Sequence, residues 1–118
     1  MTLGSYEGNF KYETKEEIAE HIRRSSELPM DDIWISGENE LPCLAILVNG
    51  AYACIHYFDK EGEWISHGTD QKKIIFLAGL ERWEAPSDAV VFLEVAISCM
   101  EEFFDTMKKP RCIEWQKL

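Results

Sequence analysis

Cysteine and histidine are the side chains of this sequence best suited to chemistry, and three of them fall close together. Cys43, Cys54 and His56 lie on two apolar runs, residues 41–48 and 52–58, that flank Asn49-Gly50. Asn-Gly is a favoured two-residue hairpin turn. Used as such, it pairs Val48 with Ala51 and sets His56 opposite Cys43, with Cys54 nearby on the same face. A thiol beside an imidazole suits either a Cys–His nucleophile or part of a metal site. No carboxylate that would orient the histidine is evident, so a histidine hydrogen-bonded within a sheet is the better reading. His21 and His67 stand alone, and His21 falls on a helix where exposure is expected.

Other chemistry has less support. Asp31-Asp32 and Glu101-Glu102 are carboxylate pairs of the kind used in acid–base work. In so acidic a chain they read better as a turn and a solvated helix face. No Gly-rich phosphate loop, nucleophile elbow or His-Glu-x-x-His motif occurs. Cys43, Cys54, Cys99 and Cys112 form no Cys-x-x-Cys pair and read as buried structural thiols. The expectation is no catalytic residue, no metal and no cofactor.

The elements that must position these side chains are legible in outline. Residues 1–12 suggest one edge strand. Thr14 and Glu17 make a capping box for a helix over residues 15–26, with Ile18, Ala19 and Ile22 as its apolar stripe. Ile33-Trp34-Ile35 is a short strand in which Trp34 has the pattern of a core residue. In the following hairpin, odd positions 43–47 and even positions 52–58 share one face. The alternate positions are also apolar, which places this hairpin at the sheet centre, covered on both sides. Further strands follow at 64–66, 73–78, 82–84 and 89–91. Leu93, Ala96, Ile97, Met100, Phe103, Phe104 and Met107 mark a long helix over residues 92–108, stopped by Pro110. A final strand runs over 112–115, packed by Trp115. The order predicts one α+β domain spanning residues 1–118, a mostly antiparallel sheet with an N-terminal and a long C-terminal helix.

Charge is the most informative global feature. Twenty-two acids against twelve Lys and Arg leave a net charge of −10 over 118 residues. That field disfavours direct contact with nucleic acid or an anionic membrane surface. No apolar run approaches the roughly 20 residues of a membrane span, and the N-terminus lacks a signal-peptide pattern, so the cytoplasm is the expected compartment. The acids are unevenly placed. From Ser25 to Asp59 there are six, Glu27, Asp31, Asp32, Glu38, Glu40 and Asp59, and no Lys or Arg. The turn beyond adds Glu61 and Glu63, with Trp64 directly after as a candidate anchor. Such a patch either keeps the chain soluble or steers a basic partner.

Leu41-Pro42-x-Leu44-x-Ile46, Tyr57-Phe58, Trp64-x-Ser66-x-Gly68, Phe103-Phe104-x-Thr106 and Pro110-x-x-Ile113-x-Trp115 together resemble the immunity protein 1 family of bacterial polymorphic toxin systems. The resemblance implies a small α+β protein, without catalytic residues, that binds and blocks a cognate secreted toxin. It points to a nucleic-acid-targeting deaminase, with a nuclease as the other class, bound 1:1. It departs at Met107, where the family often has glycine; a left-handed helix cap is sterically costly for methionine. Glu38, Glu40, Asp59, Glu61, Glu63 and Trp64 are the expected toxin-binding residues. The competing readings are a small-ligand or regulatory binding domain with a pocket between helix and sheet, and an enzyme built around His56.

Overall fold

Strands β1 (Thr2–Ser5) and β2 (Gly8–Lys11) form a hairpin ahead of helix α1 (Lys15–Ser25), where a single edge strand was expected. The computed structural model describes residues 1–68 and 72–118. After α1 come β3 (Asp31–Ser36), β4 (Cys43–Asn49), β5 (Tyr52–Asp59) and β6 (Gly62–His67). Then follow β7 (Ile75–Ala78), β8 (Glu81–Glu84), a short 3-10 turn, β9 (Val90–Phe92), helix α2 (Leu93–Thr106) and β10 (Glu114–Lys117). The main sheet runs β10-β6-β5-β4-β3-β1-β2, with β9 also on β5, and its pairs are antiparallel. The α+β expectation holds, with the final strand starting two residues later than read.

Helix α1 starts as its sequence dictates. Thr14 Oγ1 accepts the Glu17 amide at 3.2 Å and Glu17 Oε1 accepts the Thr14 amide at 3.0 Å, closing the capping box. The two helices lie antiparallel, since Lys15 pairs with Asp105 and Arg23 with Glu94. Both pack on one sheet face, burying Ile18, Ile22, Ile46, Ile55, Met100 and Phe103. The β7–β8 hairpin covers part of the other face through Phe76, over Leu47, Cys54 and Ile65. The central hairpin is therefore apolar on both sides because both sides are covered.

Its turn differs from the expected one. Asn49 pairs with Tyr52, and Gly50 takes φ 60° at the first central position, the place type II′ turns give glycine. Asn49 stays on the strand because its side-chain amide donates to the Ile75 carbonyl at 2.7 Å. The register moves by two residues. Cys43 faces Phe58, His56 faces Ala45 and Cys54 faces Leu47, so His56 is not opposite Cys43. A two-residue shift preserves side-chain parity, and both faces keep the residues expected of them.

The edge of β5 is shared. Residues 56–59 pair with β6 and residues 52–54 with β9. Ile55 lies between, and its amide donates to Ser66 Oγ at 3.0 Å. The same hydroxyl donates to the Ala89 carbonyl at 2.7 Å. Two residues on, an added Cβ at Gly68 would lie 2.2 Å from the Val90 carbonyl oxygen, so only glycine fits.

Three other expectations are overturned in the N-terminal half. Asp31 and Asp32 are strand residues rather than a turn, and Asp31 is fully buried. Its carboxylate accepts from the Tyr6 and Asp32 amides and from Ser25 Oγ, at 2.9, 2.8 and 2.8 Å. His21 is buried, not exposed, because the β1–β2 hairpin folds over its side of α1. It bonds the Tyr12 hydroxyl at 2.8 Å and Ser5 Oγ at 3.2 Å, with the Phe10 and Tyr12 rings edge-on. Trp34 is not a core residue: Ile33 and Ile35 face the core and alternation turns it outward, 45% exposed.

At the end of α2, Met107 does adopt the left-handed cap, with φ 55° and ψ 33°. Its amide donates to the Phe103 carbonyl at 2.8 Å. The side chain lies against Gly37, where a Cβ would come within 2.8 Å of the methionine methyl.

Ser66→Ala strands a buried amide and a buried carbonyl, and urea unfolding should show a loss of about 2–4 kcal/mol. Met107→Ala keeps the left-handed strain and loses packing; Met107→Gly loses the same packing without strain, so it should be the more stable of the two by about 1 kcal/mol. Burial, aided by Arg24, holds His21 below its ordinary pKa against the opposing charges of Glu7 and Asp31. The unfolded chain then binds the proton more readily, so stability is full above the ordinary value near 6.5 and is lost as pH falls below it. Urea titrations between about pH 7.5 and 5.5 should show this decline, and His21→Gln should flatten it. His56, lowered by burial too, keeps the remaining slope in that variant.

Candidate functional site

The β3–β4 connection and the β5–β6 turn emerge at the same end of the sheet, because Ser36 pairs with Cys43 and Cys43 with Phe58. The first carries Glu38 and Glu40, both exposed; the second carries Asp59 and exposed Glu61. Four acids from two distant segments thus meet on one rim. Lys60 is the basic residue of the turn. The turn is shaped by Asp59 Oδ1, which accepts the Glu61 amide at 2.8 Å. Between the connections lies a shallow hollow of about 290 Å³, lined by Leu41, Pro42, Tyr57, Asp59, Lys60, Glu61 and Met107. Burial and the nearby Asp59 carboxylate push the Tyr57 hydroxyl up to about 12, so it stays protonated.

Glu63 and Trp64 do not point together. Glu63 pairs with Phe58 and shares its face, the one turned away from the helices. Trp64 pairs with Tyr57 and lies on the helix side, half-buried against the main core. Its ring carries two of the chain's own ammonium groups, Lys109 at 4.6 Å and Lys117 at 5.3 Å. Of the six expected binding residues, four share the rim, Glu63 adjoins it on the open face, and Trp64 sits behind.

The Cys–His grouping dissolves in the observed register. His56 stacks on Phe58 and tilts against Trp83, with ring centres at 6.1 and 5.8 Å. Burial raises the Cys43 thiol to about 11 and the Cys54 thiol to about 12, the wrong direction for a nucleophile. Cys99 is buried, while Cys112 is exposed, contrary to the expectation of four buried thiols; their sulfurs lie 2.9 Å apart. Among the described residues, no group of three or more His, Cys, Asp and Glu is placed to hold a metal. No helix among them is long and apolar enough to cross a membrane.

A larger concavity, about 750 Å³, was not foreseen. It lies beside β9, walled by Tyr52, Val91, Phe92, His67, Lys72 and Arg111, with Asp88 and Glu114 among its acids. His67 Nδ1 stands 3.7 Å from Asp88 Oδ2. Val95 of α2 also lines it, so it lies where the start of that helix, β9 and the segment before β10 meet. No local sequence pattern marks it, because it exists only where β9 ends and the segment before β10 begins.

A protein-family model described as immunity protein Imm1 matches residues 7–117. Comparison with curated proteins returned no match.

Proposed function

Because the chain belongs to the Imm1 immunity protein family and is thus an immunity protein against a toxin, we propose that it acts as a stoichiometric inhibitor that presses its acidic rim onto a basic surface of that toxin. The convergence of Glu38, Glu40, Asp59 and Glu61 at one end of the sheet carries this reading. Glu63 and Trp64 extend the surface on either side. Enzymes that act on nucleic acid hold phosphate in basic clefts, and an inhibitor of charge −10 is steered to such a cleft and occludes it. A nucleic-acid-targeting deaminase is the toxin class that fits best. The complex is a 1:1 heterodimer formed in the cytoplasm, and the chain turns over no substrate and binds no nucleic acid itself.

The concavity beside β9 is the feature that favours a second reading, a small-ligand or regulatory domain, and solute binding there independent of any toxin would support it.

Charge reversal at Asp59, Glu61 and Glu63 tests the first reading. Stopped-flow mixing with the toxin domain encoded beside this gene should show association slowed by about tenfold or more at low salt, with a flatter dependence on ionic strength. Unchanged rates and slope would reduce the rim to a solubilising surface.

A further inference from the structure

The sheet face turned away from the helices is only partly covered. The β7–β8 hairpin lies over Leu47, Cys54, Ile65 and Val90. Beside it, four rings run in one line from β3 across β5 to β8. Trp34 stacks on Phe58 at 5.2 Å, Phe58 on His56 at 6.1 Å, and His56 meets Trp83 at 5.8 Å. Trp34 is 45% exposed, and Leu80 at the hairpin tip is 94% exposed.

Trp34 is held rigidly for a residue so exposed. Its indole N–H donates to Asp32 Oδ1 at 2.8 Å. The other oxygen of that carboxylate accepts the Gly79 amide at 2.6 Å, which fixes the hairpin tip to the same point. A rigid indole presents a large contact area with little motion left to lose on binding.

The chemistry of an occupant follows from what surrounds the rings. Elsewhere the chain seats its own cations on its aromatics, Lys72 over Tyr52 and Lys109 and Lys117 over Trp64. Among the described residues, no lysine or arginine lies over Trp34 or Phe58. Glu63, opposite Phe58 in the sheet register, supplies a carboxylate on the same face. Ring faces carry negative potential, and an acid beside them selects a cation on an apolar stem. A second copy of the chain would bring a further −10 to this face, which charge repulsion opposes.

We propose that the outer face of Trp34, backed by the stacked Phe58 ring and with Glu63 and Leu80 at the margins of the strip, seats an arginine or lysine side chain of the toxin domain. The strip adjoins the acidic rim through the Phe58–Glu63 pair, so one basic partner surface spans both. This rests on the reading of the chain as a toxin inhibitor, and the test separates the two.

Hydroxyl-radical footprinting of the unaltered chain, free and mixed with the toxin domain encoded beside its gene, should show Trp34 oxidised about threefold more slowly in the complex. Trp34→Ala, shown to be folded by urea titration, should weaken the complex by about tenfold or more, mainly through faster dissociation. Trp34→Phe keeps an aromatic face and should stay within about threefold of the original. Unprotected Trp34, or a folded Trp34→Ala variant of unchanged affinity, overturns this proposal and leaves the inhibitor reading standing. A toxin domain that the unaltered chain does not bind overturns both. A concentration-dependent dimer of the free chain that shields Trp34 gives the strip to a second copy and overturns it as well.

Discussion

The Ser66 hydroxyl accepts the amide of Ile55 and donates to the carbonyl of Ala89, and much of the architecture hangs on that pair of bonds. One strand edge cannot be paired along its whole length by two strands meeting end to end without leaving a backbone group between them. Here the orphan is the Ile55 amide, fully buried and intolerable without a partner. A side chain of one carbon and one oxygen satisfies it. Gly68, two residues on, lets the chain leave β6 close beside β9. Ser66 and Gly68 of Trp64-x-Ser66-x-Gly68 therefore act as joinery. Trp64, at its other end, packs against the helix-side core and holds two lysines.

The N-terminal third is fastened by different means. Asp31 takes three donors from the β1–β2 turn, the end of α1 and its own strand. His21 ties α1 to Ser5 at the end of β1 and to Tyr12 just past β2. Both are polar groups in the interior, satisfied by hydrogen bonds and therefore tolerable there. Their role is to specify how a small hairpin docks, which apolar contact alone fixes poorly.

Much of this was legible in the residues. The Thr14–Glu17 capping box, the apolar stripe of α2 and the two-faced central hairpin are local patterns, and local patterns carry their own physics. The hairpin register was not, because Asn49 is kept on its strand by the distant Ile75 carbonyl. His21 and Asp31 carry no local mark of burial, because the groups that cover and bond them come from other elements of the fold. Trp34 has a core residue's type, but its alternation with the buried Ile33 and Ile35 decides its face. The acidic rim was half legible, since the base-free stretch is visible in sequence but its meeting with the β5–β6 turn is a property of the sheet. The line of rings joins residues 34, 56, 58 and 83 and has no sequence signature.

The left-handed cap at Met107 reaches beyond the helix it ends. It aims the methionine side chain at Gly37, where the β3–β4 connection begins, and seats it beside Leu41 and Pro42, where that connection ends. The connection bearing Glu38 and Glu40 is clasped at both ends by a helix terminus. Its ordering entropy is settled during folding, so on the proposed reading those carboxylates are offered on a braced arch instead of a loop that binding would have to freeze.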